Sequence, residues 1–329
     1  MNVRRSISTT VAAGAAALGL VALSACSGSS GGAEKNKDGK MDVVASFYPM
    51  QFLAERIGGD KVSVTTLTQP GVEPHDLELK PRQIADLGDA GFILYLKGLQ
   101  PAVDDAIRQA GVENTVDAAS LTTLETHGTH EDHADHEGEA HAEESHAGEH
   151  DHGTEAGGDP HVWLDPVKYA EVAKGVGDRL AKADPANAAT YEKNTDELVK
   201  KLGALDTRFR EGLKNTTTRT FITTHSAFGY LAERYALDQE GISGVDPESE
   251  PSPARVKELQ AIAKKEKVTT VFFETLASDR TARTLAKDTG LKTDVLDPLE
   301  GITERSKGAD YLEVMESNLA ALQKALGAK

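Results

Sequence analysis

Cysteine is nearly absent: Cys26 stands alone in 329 residues. No disulfide can staple this fold, and the lone thiol needs another explanation. After residue 25 no segment is apolar enough to cross a bilayer as a helix. Basic residues are outnumbered 36 to 53, for a net charge of −17, and they form no patch. Nucleic acid is therefore not an expected partner. No His-Glu-x-x-His motif occurs, so the compact signature of a zinc protease is missing. The sharpest absence is local. Residues 125–157 contain no Lys or Arg and no Val, Ile, Leu, Met or aromatic residue. Such a stretch cannot bury a core, and disorder is expected there.

That same stretch is rich in metal donors. It holds eight of the eleven histidines: His127, His130, His133, His136, His141, His146, His150 and His152. The first four fall at a strict spacing of three, and the stretch also holds eleven Asp or Glu. Mixed imidazole and carboxylate suit zinc and neighbouring transition metals better than calcium. A solvated acidic linker is the plainer reading. If the stretch handles metal, an ordered site should lie elsewhere in the chain.

The N-terminus reads as a targeting segment. Arg4 and Arg5 precede an apolar run over residues 11–23, too short to span a bilayer and suited to a signal-peptide core. Leu23-Ser24-Ala25-Cys26 resembles a bacterial lipobox, which would make Cys26 the lipidated first residue of the mature chain. A signal peptide is expected over 1–25 and a flexible Gly/Ser/Lys tether over 26–40, with a reach of about 20 Å. The mature chain carries −19, of which the acidic stretch supplies 11, so the folded body is only mildly acidic.

From Met41 onward, β-like runs alternate with helical patterns. Strands are expected at 42–46, 61–67, 92–96 and, weakly, 112–116. Helices are expected at 49–57, 81–87 and 101–110. A helix at 166–181 follows the histidine-rich insertion, and Asp184-Pro185 then reads as the N-cap and first position of a long helix reaching about residue 214. The second half repeats the alternation, with strands at 219–223, 268–273 and 293–296. Its helices are expected at 226–235, 254–264, 280–289 and 309–326. The fold class is α/β: two lobes, each with a parallel-rich sheet flanked by helices, joined by one long helix. The lobes are expected at 41–184, interrupted by a loop at 125–158, and at 215–329, with the linking helix at 185–214. A single larger α/β domain is the competing picture.

Outside the acidic stretch only His75, His161 and His225 remain. His75 follows the second strand, His225 follows the apolar run Phe221-Ile222-Thr223-Thr224, and His161 precedes a helix. Parallel α/β sheets bind ligands beyond the C-terminal ends of their strands. Three imidazoles delivered there could converge on one tetrahedral metal. Each alone reads equally well as an ordinary hydrogen-bonding histidine, and spacing this wide has none of the specificity of a close pair.

Longer motifs carry more. They are Ser46-Phe47-Tyr48-Pro49, Gly71-Val72-Glu73-Pro74-His75-Asp76 and Asp159-Pro160-His161-Val162-Trp163-Leu164-Asp165-Pro166, then Asp184-Pro185-Ala186-Asn187. Thr224-His225-Ser226-Ala227-Phe228-Gly229-Tyr230, Glu250-Pro251-Ser252-Pro253 and Leu296-Asp297-Pro298-Leu299-Glu300 follow. In this order they resemble the cluster A-I metal-binding solute-binding lipoproteins of bacterial ABC importers, most of all the zinc-uptake branch, over nearly the whole mature chain. The resemblance implies metal held between the two lobes by His75 and His161 from the first and His225 from the second. Histidine at the third position implies Zn2+ rather than Mn2+, in keeping with imidazole being softer than carboxylate. The fourth ligand is expected to be Glu300, with Asp297 second, Glu274 third and water a further option. The resemblance implies no catalysis, since a site closed by four protein ligands binds metal without turning over substrate. The implied partner is a membrane ABC permease, and the implied location is the outer face of a membrane, as a lipid-anchored monomer. The histidine-rich stretch would then collect or sense zinc near the entrance to the site, since it lies directly upstream of His161. A zinc hydrolase and a surface adhesin are the rival readings.

Overall fold

The computed structural model describes Ala33, residues 35–127 and residues 158–329. Cys26, the signal segment and seven of the eight clustered histidines lie outside the described residues.

Two four-stranded parallel sheets organise the described chain. The first contains β1 (Met41–Ala45), β2 (Val62–Thr66), β3 (Phe92–Tyr95) and β4 (Thr115–Asp117), in the order β2-β1-β3-β4. The second contains β5 (Thr220–Thr223), β6 (Asp238–Gly241), β7 (Thr270–Phe273) and β8 (Lys292–Val295), in the order β6-β5-β7-β8. The two orders are the same permutation. In each sheet the chain leaves its first strand to one side and returns to pair on the other, which creates a switch point between the two central strands.

Helices α1 (Tyr48–Gly58), α2 (Pro81–Gly88) and α3 (Pro101–Ala110) flank the first sheet. Helices α4 (Pro166–Ala183) and α5 (Ala188–Gly212) then pack against each other between the sheets in sequence. The second sheet carries α6 (Gly229–Arg234), α7 (Pro253–Lys265), α8 (Arg280–Thr289) and α9 (Tyr311–Leu326). Proline occupies the first turn of α1, α2, α3, α4 and α7, where its missing N–H has no intrahelical partner to lose.

Strand alternation divides the core in three. Met41, Val43 and Ala45 of β1, Phe92 and Leu94 of β3, Phe221 of β5 and Phe272 of β7 all face one continuous core that runs through both lobes. Val44 and Ile93 turn to a smaller cluster under α2 and α3, whereas Ile222 and Val271 turn to another under α7 and α8. The lobes thus share their largest apolar mass instead of touching across a thin hinge. Helix α5 crosses that mass. Its 25 residues span about 37 Å. Tyr191, Thr195, Leu198, Leu202, Leu205 and Phe209 form its buried stripe at helical spacing. It packs on α1 and α4 in the first lobe and on α9 in the second.

Four expectations change. The edge strand β6 reads Asp-Gln-Glu-Gly and has no apolar alternation, so only its backbone pairing with β5 reveals it. The long helix begins later than residue 185. Pro185–Asn187 form a 3-10 turn, and the Asp184 carboxylate accepts from Asn187 and Tyr191 and pairs with Lys35 instead of capping a helical N–H. The tether ends before residue 40. The Ala33 N–H donates to Ala183, Lys35 pairs with Asp184, and Asn36 donates to Asp42, so this end of the segment is pinned to the lobe. The acidic stretch is ordered at its start. The Glu125 N–H donates to the Tyr230 hydroxyl, and Glu125 in turn accepts from the Asp159 N–H. Tyrosine and backbone partners here do what aliphatic burial does elsewhere.

Candidate metal centre

Four segments meet where the C-terminal ends of the two sheets face each other. The loop after β2 brings His75. A single 3-10 turn, Val162–Leu164, follows His161 and leads through the Asp165 cap into α4. His225 lies just past the end of β5, and Glu300 lies in the loop after β8. The loops are fastened to one another. The Trp163 indole N–H donates to Pro298 O at 2.7 Å, and the Tyr311 hydroxyl donates to Trp163 O at 2.6 Å. These two bonds bolt the His161 turn of one lobe to the Glu300 loop and α9 of the other.

Ligand atoms of His75, His161, His225 and Glu300 all lie within 4.8 Å of one another. His161 and His225 are fully buried, Glu300 nearly so, and His75 is half-buried. One oxygen, Glu300 Oε1, lies 3.4 Å from His75 Nε2, 3.2 Å from His161 Nε2 and 3.4 Å from His225 Nε2. Those separations are longer than charge-assisted hydrogen bonds, which close to about 2.7–2.9 Å. They agree with the edge of a tetrahedron around a small divalent cation: ligand distances of about 2.0–2.1 Å place neighbouring vertices about 3.3 Å apart. Two atoms of the cluster, His225 Nε2 and Glu300 Oε2, are buried without a hydrogen-bond partner. Such atoms are costly unless something else satisfies them. A bound cation would.

Carboxylates behind the rings fix their orientation. The His161 Nδ1–H donates to Asp159 Oδ1 at 2.7 Å, and the His225 Nδ1–H donates to Glu274 Oε1 at 2.6 Å. Each leaves Nε2 aimed at Glu300. A carboxylate on the far nitrogen sets the tautomer and makes the imidazole a stronger donor to metal. Asp159 is itself held in place by accepting from the His161 N–H, and Glu274 by accepting from the Thr224 hydroxyl. Among the described residues no such carboxylate backs His75. Its loop is fixed through Glu73, which accepts from the His75 N–H at 3.1 Å.

Electrostatics follow this arrangement. Burial works against a charged ring at His161, but Asp159 and then Glu300 outweigh it and raise its pKa above the usual 6.5. Burial likewise opposes charge at His225, and Glu274 and Glu300 push its pKa well above that value. Burial alone would raise Glu300, yet contacts with His161, His225 and His75 hold it well below the ordinary 4.5. Without metal, Asp159, Glu274 and Glu300 favour the protonated forms of His161 and His225, with Glu300 as the shared countercharge.

The other proposed fourth ligands have different tasks. Asp297 accepts from the Leu299 N–H, the Ser306 hydroxyl and the Thr275 hydroxyl, so it shapes the turn that presents Glu300. Glu274 lies behind His225, on the side away from the cluster. The orienting role of Asp159 was not foreseen; an aspartate two residues before a histidine was the available signal. His127, expected only as one donor of the acidic stretch, alone of the eight clustered histidines is among the described residues. Its Nδ1 lies 3.0 Å from Asp159 Oδ2.

The fold is that of a two-lobed α/β solute-binding protein. The chain belongs to the family described as zinc-uptake complex component A, periplasmic, which matches residues 43–325. It is 37% identical over 296 residues to the zinc-binding lipoprotein AdcA of Streptococcus pneumoniae, covering 88% of this chain and 56% of that protein. The chain thus spans little more than half the length of that relative. Identity is also 37% over 308 residues to the high-affinity zinc uptake system protein ZnuA of Bacillus subtilis, covering 92% of this chain and 93% of the relative. The crystal structure of the Zn(II)-bound ZnuA-like domain of Streptococcus pneumoniae AdcA superposes with a TM-score of 0.70 at 33% identity. It covers 88% of this chain and 99% of that one.

Proposed function

We propose that this chain is the extracytoplasmic zinc-binding component of an ABC metal importer. It takes up one Zn2+ ion between its lobes through His75, His161, His225 and Glu300 and passes it to a membrane permease. The observation that carries this reading is the geometry around Glu300 Oε1: three imidazole nitrogens at 3.2–3.4 Å, with His225 Nε2 and Glu300 Oε2 buried and unpartnered. Three nitrogen donors favour zinc over harder manganese. Four protein donors leave no open position for a reacting water, so the site binds and releases without catalysis. The names of the relatives support zinc as the ion.

In the same reading Cys26 carries the lipid that holds a monomeric protein at the outer face of the membrane, residues 1–25 are its signal peptide, and the linking helix separates lobes at 41–184 and 215–329. Residues 125–157 gather zinc near the site or sense its level. Half-buried His75 is the ligand through which the ion enters and leaves, because it has the most solvent and, among the described residues, no carboxylate behind it. Calorimetric titration of the mature chain with Zn2+ tests the ligand set. His225→Ala should remove the tight site, and unchanged affinity would take His225 out of it.

A further inference from the structure

A second donor cluster lies beside the first. Glu125, His127 and Glu233 bring one ligand atom each within 4.8 Å of one another. His127 Nε2 is 3.0 Å from Glu233 Oε2. His127 has the same wiring as the two buried imidazoles: its Nδ1 lies 3.0 Å from a buried carboxylate oxygen, and its Nε2 points at further carboxylates. The orienting carboxylate is moreover shared. Asp159 holds His161 with Oδ1 and His127 with Oδ2, so one fully buried side chain aims two imidazoles into two separate clusters.

The surroundings are built rather than incidental. The Tyr230 hydroxyl donates to Asp159 O at 2.7 Å and accepts from the Glu125 N–H at 2.8 Å, and its ring packs edge-on against His127 with centroids 4.5 Å apart. Gly229 lies so close that an added Cβ would fall 2.5 Å from His127 Cβ. The cluster also spans the chain: Glu125 and His127 follow the first sheet, whereas Glu233 is on α6 of the second lobe. Lys168 Nζ, 2.6 Å from Glu125 Oε1, is the one cation paired with this cluster among the described residues.

We propose that Glu125, His127 and Glu233 form a second site for a single divalent transition-metal ion, weaker than the first and coupled to it through Asp159. One imidazole and two carboxylates suit zinc-like ions. An ion on His127 Nε2 would replace the proton that Glu233 now accepts, and Lys168 would yield Glu125. The affinity is lower for three reasons: the donors are partly solvated, Lys168 competes, and solvent completes the coordination. The site's position is informative, since His127 is the first histidine of the acidic stretch. An ion arriving along that stretch would meet Glu125, His127 and Glu233 one hydrogen-bonded carboxylate away from His161.

The test uses the mature chain, 26–329, with the seven histidines from 130 to 152 replaced by Asn at unchanged length. Zn2+ is titrated calorimetrically, and melting curves verify folding. Two equivalents are expected, one tight and one weak. Glu233→Gln and, separately, His127→Asn should each abolish the weak equivalent and keep the tight one. His225→Ala should do the opposite, so loss of this site is distinguishable from failure of the principal zinc site. Glu233 is largely exposed, and its amide variant should fold. A weak equivalent that survives both Glu233→Gln and His127→Asn, or none before either change, would overturn the proposal.

Discussion

Residues 125–157 hold eight histidines, and the buried centre holds three. The larger number is the poorer candidate for tight binding. In the centre, His75 and His225 follow strands, His161 is set by a 3-10 turn leading into α4, and two of the three are aimed by a carboxylate. In residues 128–157 not one side chain larger than alanine is aliphatic, and nothing in the composition can hold several imidazoles in one geometry. Donor count sets how many ions a stretch can touch. Pre-arranged donors set how tightly one is held, because the ordering has been done by folding instead of by binding.

Removing a ligand should break this contrast most severely. His161→Ala or His225→Ala is expected to lower Zn2+ affinity by orders of magnitude, leaving only the weak binding of the acidic stretch. Competition with a chromophoric chelator would show it, and affinity within a few-fold of the parent would show that the centre is not the tight site. Loosening the orienting carboxylates should cost less. Glu274→Gln keeps the size but weakens the hold on His225 Nδ1, and a loss of about 10–100-fold is expected. An unchanged constant would mean that packing alone aims the ring.

Protons compete with the metal. The raised pKa values of His161 and His225 mean that zinc must displace protons even near neutrality. Affinity should fall as pH drops, beginning above the ordinary imidazole value of 6.5. The metal-free protein should behave in the opposite sense at the alkaline end. Protonated His161 and His225 contribute stability that is complete below 6.5 and lost as pH rises through their raised folded values. The contribution of Glu300 is present above 4.5 and lost as pH falls through its depressed folded value. Melting of the metal-free chain should therefore peak between these limits, and zinc should raise the melting temperature most on the alkaline side. A flat profile would remove the charge coupling. The smallest effect belongs to the stretch: deleting 128–157 should leave the tight constant nearly unchanged and remove weaker ions from the titration.

Much of this was legible before any coordinates. Alternating apolar runs gave both sheets, because central strands such as Phe92–Tyr95 and Thr220–Thr223 are buried and dense in β-formers. The three ordered histidines stood out once the acidic stretch was set aside. The edge strand Asp238–Gly241 was hidden, since backbone pairing leaves no mark on side-chain pattern. So was the division of labour among carboxylates. Asp159, Glu274, Asp297 and Glu300 are all acids in loops, and only their distances separate two that orient imidazoles, one that shapes a turn and one that faces the cluster. Likewise, nothing in the repeat of three announces the partners of His127, Tyr230 and Asp159, both distant in sequence.

The central claim is that one ion sits among four donors from four segments. Diffraction from crystals of the zinc-loaded mature chain, measured on both sides of the zinc absorption edge, tests it directly. The account predicts one strong anomalous peak about 2.0–2.2 Å from Nε2 of His75, His161 and His225 and from a Glu300 oxygen. A strongest peak anywhere else, or one in which Glu300 is replaced by Asp297 or Glu274, would contradict it.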